Sequence, residues 1–171
     1  MTVSEHPDDV QVVAGSMVAQ HVPAHPGSTS AQVSTRMSVA HRRDTAPEVA
    51  LRRALFARGL RYRVAYPVPG QRRRTIDVAF IRAKVAVFID GCFWHGCPEH
   101  GTKPRSNSAW WQEKLAANAA RDADTDRVLD TLGWTVVRIW EHVVADEAAG
   151  LVLQALEERG FPPKTPDDVS P

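Results

Sequence analysis

Apolar positions recur with two different periods along this 171-residue chain. The first ordered pattern begins at Thr45-Ala46-Pro47-Glu48, where Thr45 can N-cap, Pro47 sits in the first turn and Glu48 closes a capping box. Apolar spacing at Val49, Leu51, Leu55 and Phe56 predicts a helix that runs to Arg58, with Gly59 as its C-cap. The pattern then shortens to strand length. A strand is expected around Tyr62–Tyr66, followed by a Pro-Gly-arginine loop and two strands, Thr75–Phe80 and Val85–Ile89, joined by the turn Ile81–Lys84. Asn107 or Ser108 can cap a long helix from Ala109 to about Leu132, which Gly133 ends. Trp134–Trp140 is a β-branched and aromatic strand, and a last helix spans about Asp146–Arg159. The order α-β-β-β-α-β-α predicts an α/β fold with a mixed central sheet flanked by helices.

Residues 1–35 lack this periodicity, being rich in Ser, Thr, Pro, His and Val, and are expected to be a disordered extension, with Met37 as an alternative start. Residues 36–160 form the expected folded domain, and 161–171 an acidic, Pro-rich tail. The first thirty residues hold no lysine or arginine and no long apolar run, so neither a signal peptide nor a membrane span is expected, and the compartment expected is the cytoplasm.

The net charge of +1 hides a strong asymmetry. Residues 36–74 carry eleven arginines against Asp44 and Glu48, whereas residues 141–171 carry seven acidic and two basic residues. A basic stretch made wholly of arginine, ending in Arg72, Arg73 and Arg74, suits bidentate contact with phosphate; a solvated arginine-rich face is the plain alternative.

Chemistry concentrates in Ile89-Asp90-Gly91-Cys92-Phe93-Trp94-His95-Gly96-Cys97-Pro98-Glu99-His100, which contains both cysteines of the chain. Two cysteines are too few for a disulfide framework. Cys92, Cys97 and His100 are close in sequence, and His142, just after the strand ending at Trp140, is a credible fourth ligand for a structural zinc. The alternative is free thiols and surface histidines. Asp77 interrupts an apolar strand, where a carboxylate is costly unless paired or bound to a cation. Asp90 ends the next strand, and carboxylate oxygens with a backbone carbonyl such as that of Ile89 suit Mg²⁺. A salt bridge from Asp77 to one of Arg72–Arg74 competes with that reading. His95 is left over once the zinc set is complete, and an imidazole beside a magnesium site can serve as a general base. Only one of the adjacent Trp110 and Trp111 can comfortably face the core, and the expectation is Trp110 inward and Trp111 outward with Phe93 and Trp94, as flat side chains able to part-unstack a nucleic-acid duplex. The plain alternative is that both tryptophans are core at helical spacing.

Asp44-Thr45-Ala46-Pro47-Glu48, Thr75-Ile76-Asp77, the string from Asp90 to His100, and Trp134 with Trp140-Glu141-His142 together resemble the very short patch repair (Vsr) DNA mismatch endonucleases. The resemblance runs from about Arg36 to His142. It implies a restriction-endonuclease-like core, a structural zinc, and Mg²⁺-dependent nicking of one strand at T·G mismatches left by deamination of 5-methylcytosine. By position it implies Asp77 as metal-binding aspartate, the Ile89 carbonyl as its companion, His95 as general base, Asp122 as the residue orienting it, and Glu48 as the first-helix glutamate. It also implies aromatic wedging by Phe93, Trp94 and Trp111, with Cys92, Cys97, His100 and His142 at or near the zinc positions. Asp90 departs from the pattern, because the best-studied members have a second active-site histidine there. The Cys97–His100 spacing departs as well.

The expected partner is mismatched double-stranded DNA, met by a monomer at the nucleoid with other mismatch-repair proteins nearby. Two rival readings stand beside this one: a restriction or defence nuclease without a mismatch requirement, and a zinc-stabilised DNA-binding module without catalysis.

Overall fold

The computed structural model describes residue 24, residues 44–102, residue 104 and residues 106–162. The expectations for residues 1–35 and for the tail beyond residue 162 fall outside the described residues. Helix α1 spans Ala46–Ala57, followed by strands β1 (Arg63–Val68), β2 (Gln71–Phe80) and β3 (Val85–Asp90). Helix α2 (Ser108–Thr131), strand β4 (Thr135–Trp140) and helix α3 (Ala145–Glu158) complete the domain. The element order is the predicted one. No helix among the described residues is long and apolar enough to cross a membrane.

The four strands form one sheet in the order β1-β2-β3-β4. The β1/β2 and β2/β3 pairs are antiparallel hairpins, and β3/β4 is parallel, with α2 as its crossover. On one face Val78, Phe80, Val85, Val87 and Ile139 meet Leu51 and Leu55 of α1 and Ala148, Ala149, Val152 and Leu156 of α3. On the other, Ile76, Ala79, Ala86 and Phe88 meet Leu129 of α2 and Trp134. Three layers result.

Several local expectations shift. The capping box is remade: the Thr45 hydroxyl donates to Glu48 Oε1 at 3.0 Å, and the Asp44 backbone N–H donates to Oε2 at 3.0 Å. Thr45 makes no side-chain cap bond to the helix itself. Asn107 occupies the N-cap position of α2 in the left-handed region (φ 54°) and likewise makes no side-chain cap bond. Gly59 ends α1 as expected. Its φ of +76° lets the chain reverse so that Leu60 N–H reaches the Leu55 carbonyl at 3.1 Å. The arginines expected in a loop instead lie in β2, because the Pro69-Gly70 turn closes a tight hairpin and β2 begins at Gln71. Pairing with β1 shifts register between Pro67 and Val68, consistent with a proline that cannot donate to the ladder.

Candidate active site

The β2/β3 ladder pairs Phe80 with Val85, Ala79 with Ala86 and Val78 with Val87, and goes no further. Beyond it the Asp77 side chain takes over, its Oδ2 accepting the Ile89 backbone N–H at 2.9 Å. That bond holds a carboxylate at the point where the two strands part. Burial pushes the Asp77 pKa up to about 6 despite the Ile89 donor, and the nearby Glu48 and Asp90 carboxylates add to the rise. A carboxyl group so short of positive charge suits a cation. The competing salt bridge to Arg72–Arg74 is not formed: Arg74 pairs with Asp124 at 2.7 Å and Thr125 at 3.0 Å, while Arg72 and Arg73 are exposed.

His95 reaches the same place from the loop after β3. Its Nδ1 lies 2.6 Å from Asp122 Oδ2 on α2 and 3.6 Å from Asp90 Oδ1. With Nδ1–H committed to Asp122, Nε2 carries the free lone pair. The Asp122 hydrogen bond raises the His95 pKa above its ordinary value, against the effect of burial. Glu48, Asp77, Ile89, Asp90, His95 and Asp122 all line one cavity of about 430 Å³, together with Arg73, Arg74 and Arg121. Residues from α1, β2, β3, the following loop and α2 are thus brought together at the carboxyl end of β3.

Arg138 of β4 also lines this cavity, and none of the sequence motifs singles it out. Both Asp90 oxygens accept from its Nη1 at 2.9 Å, and Asp126 accepts from Nε and Nη2. A signal for it exists all the same: an arginine in the otherwise apolar run Thr135–Trp140 needs an acidic partner. Asn118 is a second residue outside the motifs. It is buried, and its Nδ2 donates to the Trp94 carbonyl at 3.1 Å, tying the aromatic loop to α2. Asn118→Ala should cost about 1 kcal/mol, a drop of roughly 2–4 °C in thermal melting, by leaving that carbonyl without its donor.

The loop from Gly91 is built by short-range backbone bonds, His95 N–H to Gly91 O and Cys97 N–H to Cys92 O. Gly101 is required where the chain passes closest, since a Cβ there would lie 2.4 Å from the Cys97 carbonyl oxygen. The Cys92 N–H donates to Glu141 Oε1 at 2.7 Å, which ties the loop to the end of β4. Cys92, Cys97, His100 and His142 place one ligand atom each within 4.8 Å of one another. Cys92 Sγ is 3.1 Å and Cys97 Sγ 3.8 Å from His142 Nδ1, and Cys97 Sγ is 3.9 Å from His100 Nδ1. Two thiols and two imidazoles at these separations could hold a metal ion, and a tetrahedral centre fits them.

Phe93, Trp94 and Trp111 form one aromatic cluster, with ring centroids 5.0 Å (Phe93–Trp94), 5.1 Å (Phe93–Trp111) and 5.9 Å (Trp94–Trp111) apart. The expected burial of the tryptophan pair is reversed. Trp111 is buried against this cluster and Trp110 is only half-buried, because the first turn of α2 faces the cysteine-bearing loop rather than the sheet.

A mixed α/β sheet thus gathers a raised carboxylate, a histidine–aspartate pair and a thiol–imidazole cluster at one strand end. The family model for the DNA mismatch endonuclease Vsr matches residues 28–100. The chain is 42% identical over 142 residues to the Type II nicking enzyme V.NaeI of Lentzea aerocolonigenes, covering 80% of this chain and 85% of that protein. It is 34% identical over 128 residues to the Type II nicking enzyme V.NmeAIP of Neisseria meningitidis, covering 70% and 84%. To the DNA mismatch endonuclease Vsr of Escherichia coli it is 33% identical over 128 residues, covering 74% and 79%. The chain belongs to the Vsr family and is a DNA endonuclease.

Proposed function

We propose that this endonuclease nicks one strand of duplex DNA at T·G mismatches left by deamination of 5-methylcytosine, by Mg²⁺-dependent phosphodiester hydrolysis. The observation that carries the reading is the shared cavity of Glu48, Asp77, Ile89, Asp90, His95 and Asp122. The Asp77 carboxylate and the Ile89 carbonyl would hold the magnesium ion, which supplies positive charge to the scissile phosphate and the leaving 3′ oxygen. His95 Nε2 takes the proton from the attacking water, and Asp122 keeps the imidazole in the required tautomer and orientation. The products are a 3′ hydroxyl and a 5′ phosphate. The Cys92, Cys97, His100 and His142 set holds zinc, which keeps the loop bearing Phe93, Trp94 and His95 in place and takes no part in the chemistry. The element order and mixed sheet support a restriction-endonuclease-like core.

Phe93 and Trp94 form the wedge that parts the base stack, with Trp111 buttressing them from behind. A wobble mismatch saves a few kcal/mol of the unstacking cost, so a T·G duplex should be nicked about a hundredfold faster than its T·A counterpart. Strand-specific nicking of end-labelled duplexes with Mg²⁺ measures that ratio. Equal rates would favour the second reading, a nuclease of a restriction system without a mismatch requirement, beside which stand relatives named as Type II nicking enzymes, with no mismatch in the name. No cleavage of either duplex would sink both.

A further inference from the structure

Arg138 is the one charged residue of β4. It stands opposite Phe88 in the parallel register, its guanidinium carbon 4.8 Å from that ring's centroid. All three guanidinium nitrogens are engaged. Nη1 donates to both oxygens of Asp90 at 2.9 Å, Nε to Asp126 at 3.0 and 3.1 Å, and Nη2 to Asp126 at 2.9 Å and to the Asp122 carbonyl at 3.4 Å. The Asp122 carboxylate lies 3.8 Å from the same Nη2. A group with its donors engaged within the protein is not available as a phosphate clamp. It acts instead on the carboxylates around it.

Asp90 is the carboxylate that matters most. It is 7% exposed, lines the same cavity as Asp77, and follows Ile89, whose N–H binds Asp77. Left unpaired, it would be a second hard oxygen ligand beside the first. The grip of Arg138 occupies both its oxygens from the β4 side. We propose that Arg138 is a positioning residue that withdraws Asp90 from the cation site, so that the site is built on Asp77 with Asp90 held as a bystander to the metal. The proposal rests on the reading of Asp77 as the cation ligand. Asp90 then serves in another way, forming with Arg138 a fixed wall beside His95, whose Nδ1 is 3.6 Å from Asp90 Oδ1.

Manganese binding to the zinc-loaded full chain tests this, read by the loss of the free-ion electron paramagnetic resonance signal without any turnover. The natural chain should bind one Mn²⁺ that Asp77→Asn abolishes. Asp90→Asn keeps the shape and a hydrogen bond to Arg138, so it should leave Mn²⁺ affinity within about twofold of the natural chain. Arg138→Leu frees the carboxylate and should tighten Mn²⁺ binding about tenfold or add a second ion, and the double variant Asp90→Asn/Arg138→Leu should lose that gain. A merely structural role for Arg138 would only weaken binding. If Asp90→Asn weakens Mn²⁺ binding as Asp77→Asn does, or if folded Arg138→Leu shows no gain, the proposal is overturned while the Asp77 reading stands. Persistence of binding in Asp77→Asn would overturn the Asp77 reading itself, and the proposal with it. Should Arg138→Leu fail to fold, the Asp90→Asn result alone decides.

Discussion

On the proposed function, Asp77→Ala should lower the nicking rate by about a thousandfold or more, because it would remove the carboxylate proposed to hold the cation while leaving the imidazole in place. Metal content at the thiol–imidazole cluster stays unchanged, since Asp77 is not one of the four residues that form it. Stability moves in the opposite direction to activity. The native pKa of Asp77, about 6, lies above the ordinary carboxylate value of 3.8, so the folded chain binds that proton more tightly than the unfolded chain does. The Asp77 contribution to stability without a cation is therefore greatest below about pH 4, falls as the pH rises to about 6, and is flat beyond, the loss amounting to roughly 3 kcal/mol. Asp77→Ala removes that slope and forfeits only the bond from Ile89 N–H, worth about 1 kcal/mol. Urea unfolding at pH 7 should thus find the alanine variant roughly 1–2 kcal/mol more stable than the metal-free natural chain. If Asp77 holds the cation as proposed, it must ionise to do so, and nicking should fall away below about pH 6 and recover in part at higher Mg²⁺. Retention of nicking by Asp77→Ala within about tenfold would place the active site elsewhere.

The parts of this molecule that can be read from sequence are those governed by local pattern. Val49, Leu51, Leu55 and Phe56 announce α1, and Gly59, Gly133 and Gly160 mark where α1, α2 and α3 end. Asp77 is legible because a carboxylate in an apolar strand has few inexpensive explanations. What stays hidden depends on partners far apart in the chain. Arg138 and Asp90 are 48 residues apart, and only the parallel β3/β4 register sets them side by side. The exchange between Trp110 and Trp111 has a similar origin. Adjacent residues on a helix must face different ways, but which one is buried depends on where the loop after β3 lies, and local spacing does not encode that. Arg72–Arg74 look like loop because propensity near Pro69-Gly70 dominates the pattern, whereas a tight hairpin lets β2 start at once. Arg74 then turns to Asp124 and Thr125 of α2, and Arg72 and Arg73 stay exposed.

Asp90 illustrates how a charge on one strand can be balanced from another. An aspartate at position 90, close to Asp77, would by itself gather negative charge around the cavity. The structure sets Arg138 against it, and the hydrogen bonds and charges of Asp126 and Asp90 keep that guanidinium firmly protonated despite its burial. The anionic residues around His95 are therefore held in a network rather than left facing one another.

Cys97→Ala should produce the largest change in stability, and one confined to a single region. The two apolar clusters that bind the helices to the sheet contain neither Cys92 nor Cys97. Between Gly91 and the start of α2 the described chain forms no helix or strand and is held by turns, by Glu141, by Asn118 and by the cluster itself. A structural zinc ion of Cys and His ligands contributes about 10–16 kcal/mol in small domains, more than such turns can supply alone. Losing one thiol should release the metal and unfold this loop while the sheet keeps its far-ultraviolet circular dichroism. Trp94 and Trp111 would lose their ring contacts, so tryptophan emission should shift to the red. Nicking should fall at least about a hundredfold, because His95 is carried on the same loop and loses its hold on Asp122. Elemental analysis should find one zinc per natural chain and none in Cys97→Ala, and chelation of the natural chain should reproduce the variant's spectrum. A metal-free chain that keeps both its emission maximum and its nicking rate would show that the cluster is no more than a pair of buried thiols beside two histidines.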